Sequence, residues 1–208
     1  MRWMRIRGIP GWRHTEMVIE LYGGVGSGKS EVLRYLRERY GAEVIGMDET
    51  AHALYEPGKE GYCAVLELLG TSVLDSEQKL DRGKMADILY ADPELFTELN
   101  RRIHPLVYRE VHRRIRASAA ALVVVETALP AAVRSDSFDE IWYVYTPKDI
   151  RAARLKESRG YSEERIREIM ERQPTEAAYR ALSDWVLVNS GSREELFSRI
   201  DQRLKEHR

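Results

Sequence analysis

Residues 23–30 read GGVGSGKS and follow directly on the apolar run VIELY. A glycine, four residues, then Gly28, Lys29 and Ser30 is the spacing of a polyphosphate-binding loop set between a strand and a helix. Gly23, Gly24, Gly26 and Gly28 reach backbone angles that turn successive amides inward, with Val25 and Ser27 completing the ring. The positive end of the following helix adds to that anion cradle. Lys29 is spaced to reach the β and γ phosphates of a nucleoside triphosphate, and the Ser30 hydroxyl to hold magnesium.

A P-loop alone does not separate a switch, a motor and a kinase, so other groups must decide. Asp48 closes the second predicted strand region in VIGMDET, at the end that opens onto the ligand crevice of a doubly wound sheet. A carboxylate there can orient an acceptor hydroxyl and take its proton, or touch magnesium through water. Its structural alternative is the N-cap of a helix beginning at Glu49. Glu126 follows four apolar residues at the end of the third predicted strand, where a buried acid needs a cation or donors to stay ionised. It reads as an acid that orders magnesium and faces the acceptor, or else as a strand-terminal cap. The segment RAARLKESRGYSEERIREIMERQ carries Arg154, Arg159, Arg165, Arg167 and Arg172 around Gly160. Such a segment suits a mobile lid that supplies positive charge and excludes water, or a surface helix paired through Glu163, Glu164, Glu168 and Glu171.

Stepwise alternation of apolar runs with helical stretches positions these groups: MVIELY, AEVIGM, ALVVVE, EIWYVYT and DWVLV are short and bounded by Gly, Asp or Pro. The pattern predicts an α/β fold of the P-loop NTPase class, a doubly wound parallel five-stranded sheet with an inserted helical substrate domain and a lid. Asp48 to Ala119 shows no strand signal, far more chain than a crossover needs. The expected layout is a tail over 1–16 and a kinase domain over 17–208, with the core at about 17–48 and 119–208. The insertion spans about 49–118 and the lid about 155–175. Asp92-Pro93-Glu94 starts a helix, and Pro105 predicts a kink or break at His104. Trp142, Trp185 and the tyrosines of IWYVY read as strand core.

With 208 residues, 43% of them hydrophobic, the chain can bury a core without staples, and a formal charge of −1 argues against global attraction to nucleic acid or membrane. A single cysteine, Cys63, cannot form an internal disulfide and reads as a small buried apolar residue in a reducing compartment, hence a cytoplasmic protein. No apolar run, Ala121 to Val125 included, approaches the ~18 residues that span a bilayer. The arginine-bearing start MRWMRIRGIPGWRHTE lacks the apolar region of a secretory signal and reads as a disordered tail, with Met17 an alternative start.

Taken in order from about Val18 to Ile200, YGGVGSGKS, Asp48-Glu49, YEPG at Tyr55–Gly58, KLDRGKM at Lys79–Met85, ADPE, RRIHPLV, ARLKESRGYSEE and VNSGSREEL resemble the dephospho-coenzyme A kinase family. The resemblance implies ATP- and magnesium-dependent transfer of the γ-phosphate to the ribose 3′-hydroxyl of dephospho-coenzyme A. By the same resemblance Asp48, Lys29 and Arg154 are catalytic and Ser30 belongs to the P-loop pair. Arg154 and Arg159 are lid-side arginines, Asn189, Ser190 and Gly191 form the turn beside the adenine, and Arg82 and His104 fall in the substrate domain. The chain departs from the family pattern at Gly46, where an aspartate is usual, across VVVETALPAAV after the third strand, and at Val188. These departures sit on the acceptor side and leave two alternatives. One is a P-loop kinase of another small hydroxyl or nucleoside acceptor. The other is a nucleotide-binding regulatory module without efficient transfer, for which the six arginines against one glutamate of Arg101 to Arg116 are a nucleic-acid surface. The expectation is no nucleic acid, no membrane and a monomer or small homo-oligomer.

Overall fold

In the computed structural model, which describes residues 15–127 and 136–207, β1 (Met17–Tyr22) runs through the middle of a five-stranded sheet. The altered stretch Ala128–Ala132 and most of the N-terminal tail lie outside the described residues. The remaining strands are β2 (Glu43–Gly46), β3 (Leu122–Glu126), β4 (Glu140–Tyr145) and β5 (Trp185–Val188), in the order β2-β3-β1-β4-β5. β1 pairs in parallel with β3 and β4, and β4 with β5. Leu21 lies opposite both Glu126 and Trp142, so the carboxyl ends of the central strands meet at one edge.

Both faces of this sheet are covered, which is why its strands read as unbroken apolar runs. On one face Ile19, Leu21, Val124, Trp142, Val144 and Leu187 pack against Val32, Leu33 and Leu36 of α1 (Lys29–Tyr40) and Leu196, Ile200 and Leu204 of α9 (Arg193–Lys205). Gly41 ends α1 in the left-handed region, and Ser192 with Glu195 closes a capping box on α9. On the other face Tyr22, Ile141 and Tyr143 pack with Tyr179 of α8 (Glu176–Leu182). Trp142 is fully buried with Trp185 edge-on to it, ring centroids 4.7 Å apart.

The chain divides into two units, one holding the residues up to Val44 and from Ile115 onward, the other Ile45–Arg114. The second unit contains α2 (Met47–Leu54), α3 (Glu60–Leu69), α4 (Arg82–Ala91) and most of α5 (Pro93–Ala117), with one antiparallel bridge between Leu74 and Leu80. Asp92 caps α5, accepting from the amides of Glu94 and Leu95, each at 3.0 Å. The break expected at His104 does not occur, and α5 runs through Pro105 as one helix. Pro105 is exposed, while Leu99, Ile103, Val107 and Val111 form a buried stripe at four-residue spacing that holds the helix on both sides of the lost hydrogen bond. Cys63 is exposed on α3, because the buried positions of that helix are Gly61 and Val65. Among the described residues no helix is long and apolar enough to cross a membrane.

Candidate active site

The loop between β1 and α1 curls back on itself, with the Ser27 amide donating to the Gly24 carbonyl at 3.0 Å. Gly26 and Gly28 hold φ of +81° and +91°, angles a side chain resists. Gly24 is dictated by contact instead, since a Cβ there would collide with the Arg151 guanidinium. Lys29 opens α1 and folds over the loop, its Nζ donating to the Gly23 carbonyl at 2.8 Å and lying 3.6 Å from the Glu126 carboxylate. That carboxylate ends β3 opposite Leu21, two residues before the loop begins at Gly23. Ser30, the second residue of α1, is exposed. Its hydroxyl and the Glu126 carboxylate are hard oxygen donors, the kind magnesium takes in ones and twos while phosphates and water fill its other positions. The cradle that side chains would fill, together with these two oxygens, fits a magnesium-bound polyphosphate.

The loop is fastened from behind by three residues at the carboxyl ends of β4 and β5 and on α6 (Lys148–Arg159). Asn189 is buried, and its Nδ2 donates to the Ser27 carbonyl at 2.8 Å. The Thr146 hydroxyl lies 2.9 Å from both the Ser27 and Asn189 carbonyls. Arg154 donates to the Asn189 carbonyl at 3.2 Å and borders Gly28, where a Cβ would stand 3.5 Å from its Nη1. Arg154 is thus beside the loop. Asn189 uses its amide nitrogen to hold the loop itself, whereas Ser190 and Gly191 are exposed beyond it. Arg159 ends α6 away from these contacts, its guanidinium 5.8 Å above the Tyr161 ring, which Arg165 of α7 (Glu163–Glu171) also covers at 4.2 Å.

Sequence reasoning missed Thr146 and Arg151. Thr146-Pro147 closes a strand at its carboxyl end, a position that points to ligand contacts in such sheets. Arg151 stands three and four residues before Arg154 and Leu155, on the face of α6 that turns inward.

In the second unit α2 begins at Met47 with Gly46 as N-cap. Asp48 is therefore not the cap of a helix starting at Glu49. It is an exposed first-turn carboxylate, with its side chain at the favourable end of the helix dipole. The same unit carries a groove of about 1100 Å³ walled by Tyr55, Leu80, Met85, Leu89, Tyr90 and Phe96, with Lys79 and Arg82 at its polar margin. Tyr90 is 87% and Phe96 52% exposed, the large apolar side chains most open to solvent among the described residues. Burial raises the Tyr55 phenol, and the nearby Arg82 charge offsets part of that rise. His104 is exposed on α5 and does not line the groove.

Five of the six arginines in the α5 run have carboxylate partners. Glu98 accepts from Arg101 and Arg102, Glu110 from Arg113 and Arg114, and Glu60 from Arg109. These donors, first Arg101 and first Arg113, hold Glu98 and Glu110 down at about 2. Those five cations already neutralise carboxylates of this chain, which leaves less unpaired positive charge on this face for a phosphate backbone.

A family profile for dephospho-CoA kinase matches residues 17–195. A dephospho-CoA kinase of Corynebacterium diphtheriae is 36% identical over 183 residues, covering 86% of this chain and 91% of that protein. Among solved structures, TT1252 of Thermus thermophilus superposes with a TM-score of 0.77 at 27% identity, over 92% of this chain and 98% of that one. A dephospho-CoA kinase of Campylobacter jejuni shares the fold with a TM-score of 0.66 at 17% identity, over 91% and 96%.

Proposed function

The chain belongs to the dephospho-CoA kinase family and is an ATP-dependent kinase of dephospho-CoA, and from that premise we propose how its own residues divide the reaction. The loop amides of Gly23 to Ser30 hold the ATP phosphates, and Lys29 follows charge onto the γ-phosphoryl group as it leaves. Arg154, tied to the loop through Asn189, adds positive charge beside Gly28. Asp48 orients the ribose 3′-hydroxyl and accepts its proton as the 3′-oxygen forms its bond to the γ-phosphorus. The bond from that phosphorus to the β–γ bridging oxygen breaks, and its electron pair leaves with ADP. Ser30 and Glu126 would hold magnesium, which when bound neutralises charge shared between the β and γ phosphates. The groove beside α4 takes the acceptor's extended arm, with Arg82 and Lys79 facing its diphosphate and Tyr90 and Phe96 its apolar length. The exposed thiol of Cys63 suits a cytoplasmic setting.

One observation carries the nucleotide half of this reading: the Lys29 amine stands between the Gly23 carbonyl and Glu126 at the mouth of a loop whose Gly26 and Gly28 hold positive φ. The acceptor half is tested by Asp48→Asn. Its kcat should fall by about a hundredfold or more while the KM for ATP stays within about twofold, as for a positioned proton acceptor. A wild-type kcat in that variant would remove Asp48 from the mechanism.

A further inference from the structure

We propose that Arg151 is a positioning residue for phosphoryl transfer, one guanidinium that grips the phosphate loop and the base of the lid segment together. The inference rests on the loop from Gly23 to Ser30 being the ATP site.

Arg151 is 7% exposed, deep for an arginine. Its Nε donates to the Val25 carbonyl at 2.8 Å and its Nη2 to the Gln173 side-chain oxygen. The guanidinium also lies against Gly24, and the residue's own carbonyl stands 3.0 Å from where a Gly26 Cβ would be. Three consecutive loop residues therefore rest on one residue, Gly24 and Val25 on its guanidinium and Gly26 first on its carbonyl. A loop whose amides face a ligand must turn carbonyls outward, and an outward carbonyl buried without a donor would bias the loop to rearrange. Arg151 supplies that donor at Val25.

Its second partner gives the arrangement its reach. Gln173 lies just past α7, with its amide donating to the Met170 carbonyl. Arg151 stands near the start of α6, and the two helices are joined through Gly160 at φ +62°. The Arg151–Gln173 bond spans 22 residues of chain and closes the α6–α7 hairpin at its base. Whatever moves α7 pulls on the group that sets the loop.

The charge matters as well as the geometry. Both hydrogen-bond acceptors are neutral, and the neighbouring phenols of Tyr143 and Tyr179 are raised by burial, Tyr143 to about 12, so near neutral pH they bring no negative charge. Burial lowers Arg151 from its ordinary value, yet a guanidinium stays protonated. The cation faces the back of an anion cradle.

The test compares Arg151→Lys, Gln173→Ala and their combination, reading the Kd of a non-hydrolysable ATP analogue, both KM values and thermal unfolding. Lysine keeps the charge but cannot hold two acceptors in the same fork. Arg151→Lys should weaken the ATP analogue about tenfold, the scale of losing one hydrogen bond from a charged donor, with the KM for dephospho-CoA within about twofold. Gln173→Ala should shift ATP the same way by less, and the double variant should be no worse than Arg151→Lys alone. Unchanged ATP affinity in Arg151→Lys, equal losses for both substrates, or fully additive effects would overturn the proposal. Should Arg151→Lys fail to fold, Gln173→Ala decides alone, by raised or unchanged ATP affinity. If the wild-type chain bound the analogue yet made no CoA, the proposed reaction would fail while the analogue titrations still judged Arg151.

Discussion

Replacing Gly28 with alanine should damage the phosphate loop by an amount that can be built from two separate costs. The first is conformational: Gly28 sits at φ +91° and ψ 22°, and an L side chain in the left-handed region costs roughly 1–2 kcal/mol. The second is steric, because the new Cβ would overlap the Asn189 amide nitrogen and force it from the Ser27 carbonyl. One such hydrogen bond is worth roughly 0.5–1.5 kcal/mol net. Together they make roughly 1.5–3.5 kcal/mol, equivalent to about tenfold to a few hundredfold in ATP affinity if the loop gives way. If the loop holds, the same sum appears as a fall of about 3–14 °C in Tm for a chain of this size. ATP-analogue titration and thermal unfolding, run on the same preparation, locate the cost. Two controls separate its parts. Gly41→Ala, at φ +63° with open space around it, should lower Tm slightly and leave ATP binding untouched. Asn189→Ala removes the obstacle, so combining it with Gly28→Ala should cost less than the sum of the single changes. Wild-type affinity and Tm in Gly28→Ala, or strict additivity in the double variant, would refute the reasoning.

Glu126→Gln keeps the size of the group 3.6 Å from Lys29 and removes its charge, and should cut kcat by about a hundredfold with Tm little changed. Steady-state rates beside a melting curve check it, and an unchanged rate takes Glu126 out of the site. Tyr90→Ser combined with Phe96→Ser should raise the KM for dephospho-CoA about tenfold, the scale of an apolar side chain losing its contact, and leave the KM for ATP alone. Glu98 and Glu110 are held below the ordinary carboxylate range by their arginine partners, so what they add to stability is present above that range and drains as pH falls toward about 2. Glu98→Gln with Glu110→Gln should therefore flatten the acid limb of a Tm-against-pH curve, with an unaltered limb counting against the pairing.

Where chemistry depends on neighbours in sequence, it could be read from the chain. Glycine spacing, the lysine and serine that follow, and the strand before them are local, and all five strands announce themselves as short apolar runs because both sheet faces are buried. Glu126 was legible for the same reason, as an acid closing a run of valines. Arg151 was not, because the acceptors that explain it lie 126 and 22 residues away, and within its own helix it looks like one more lid arginine. Asn189 showed a turn after the last strand but not its partner 162 residues earlier. Pro105 brings no break because a proline's cost is local, whereas the buried stripe that outweighs it runs from Leu99 to Ile115. Cys63 misled because apolar preference is a statistical tendency, and the four-residue spacing of Gly61 and Val65 turns position 63 outward.

Labelling the γ-phosphate of ATP and following the label in the presence of dephospho-CoA tests the central claim most directly. The label should arrive as a phosphomonoester on the ribose 3′-oxygen, identified by mass and by phosphorus–proton coupling, and Lys29→Ala should slow its arrival by about a hundredfold or more. Label released only as inorganic phosphate, or carried to a different acceptor while dephospho-CoA stays unmodified, would contradict it.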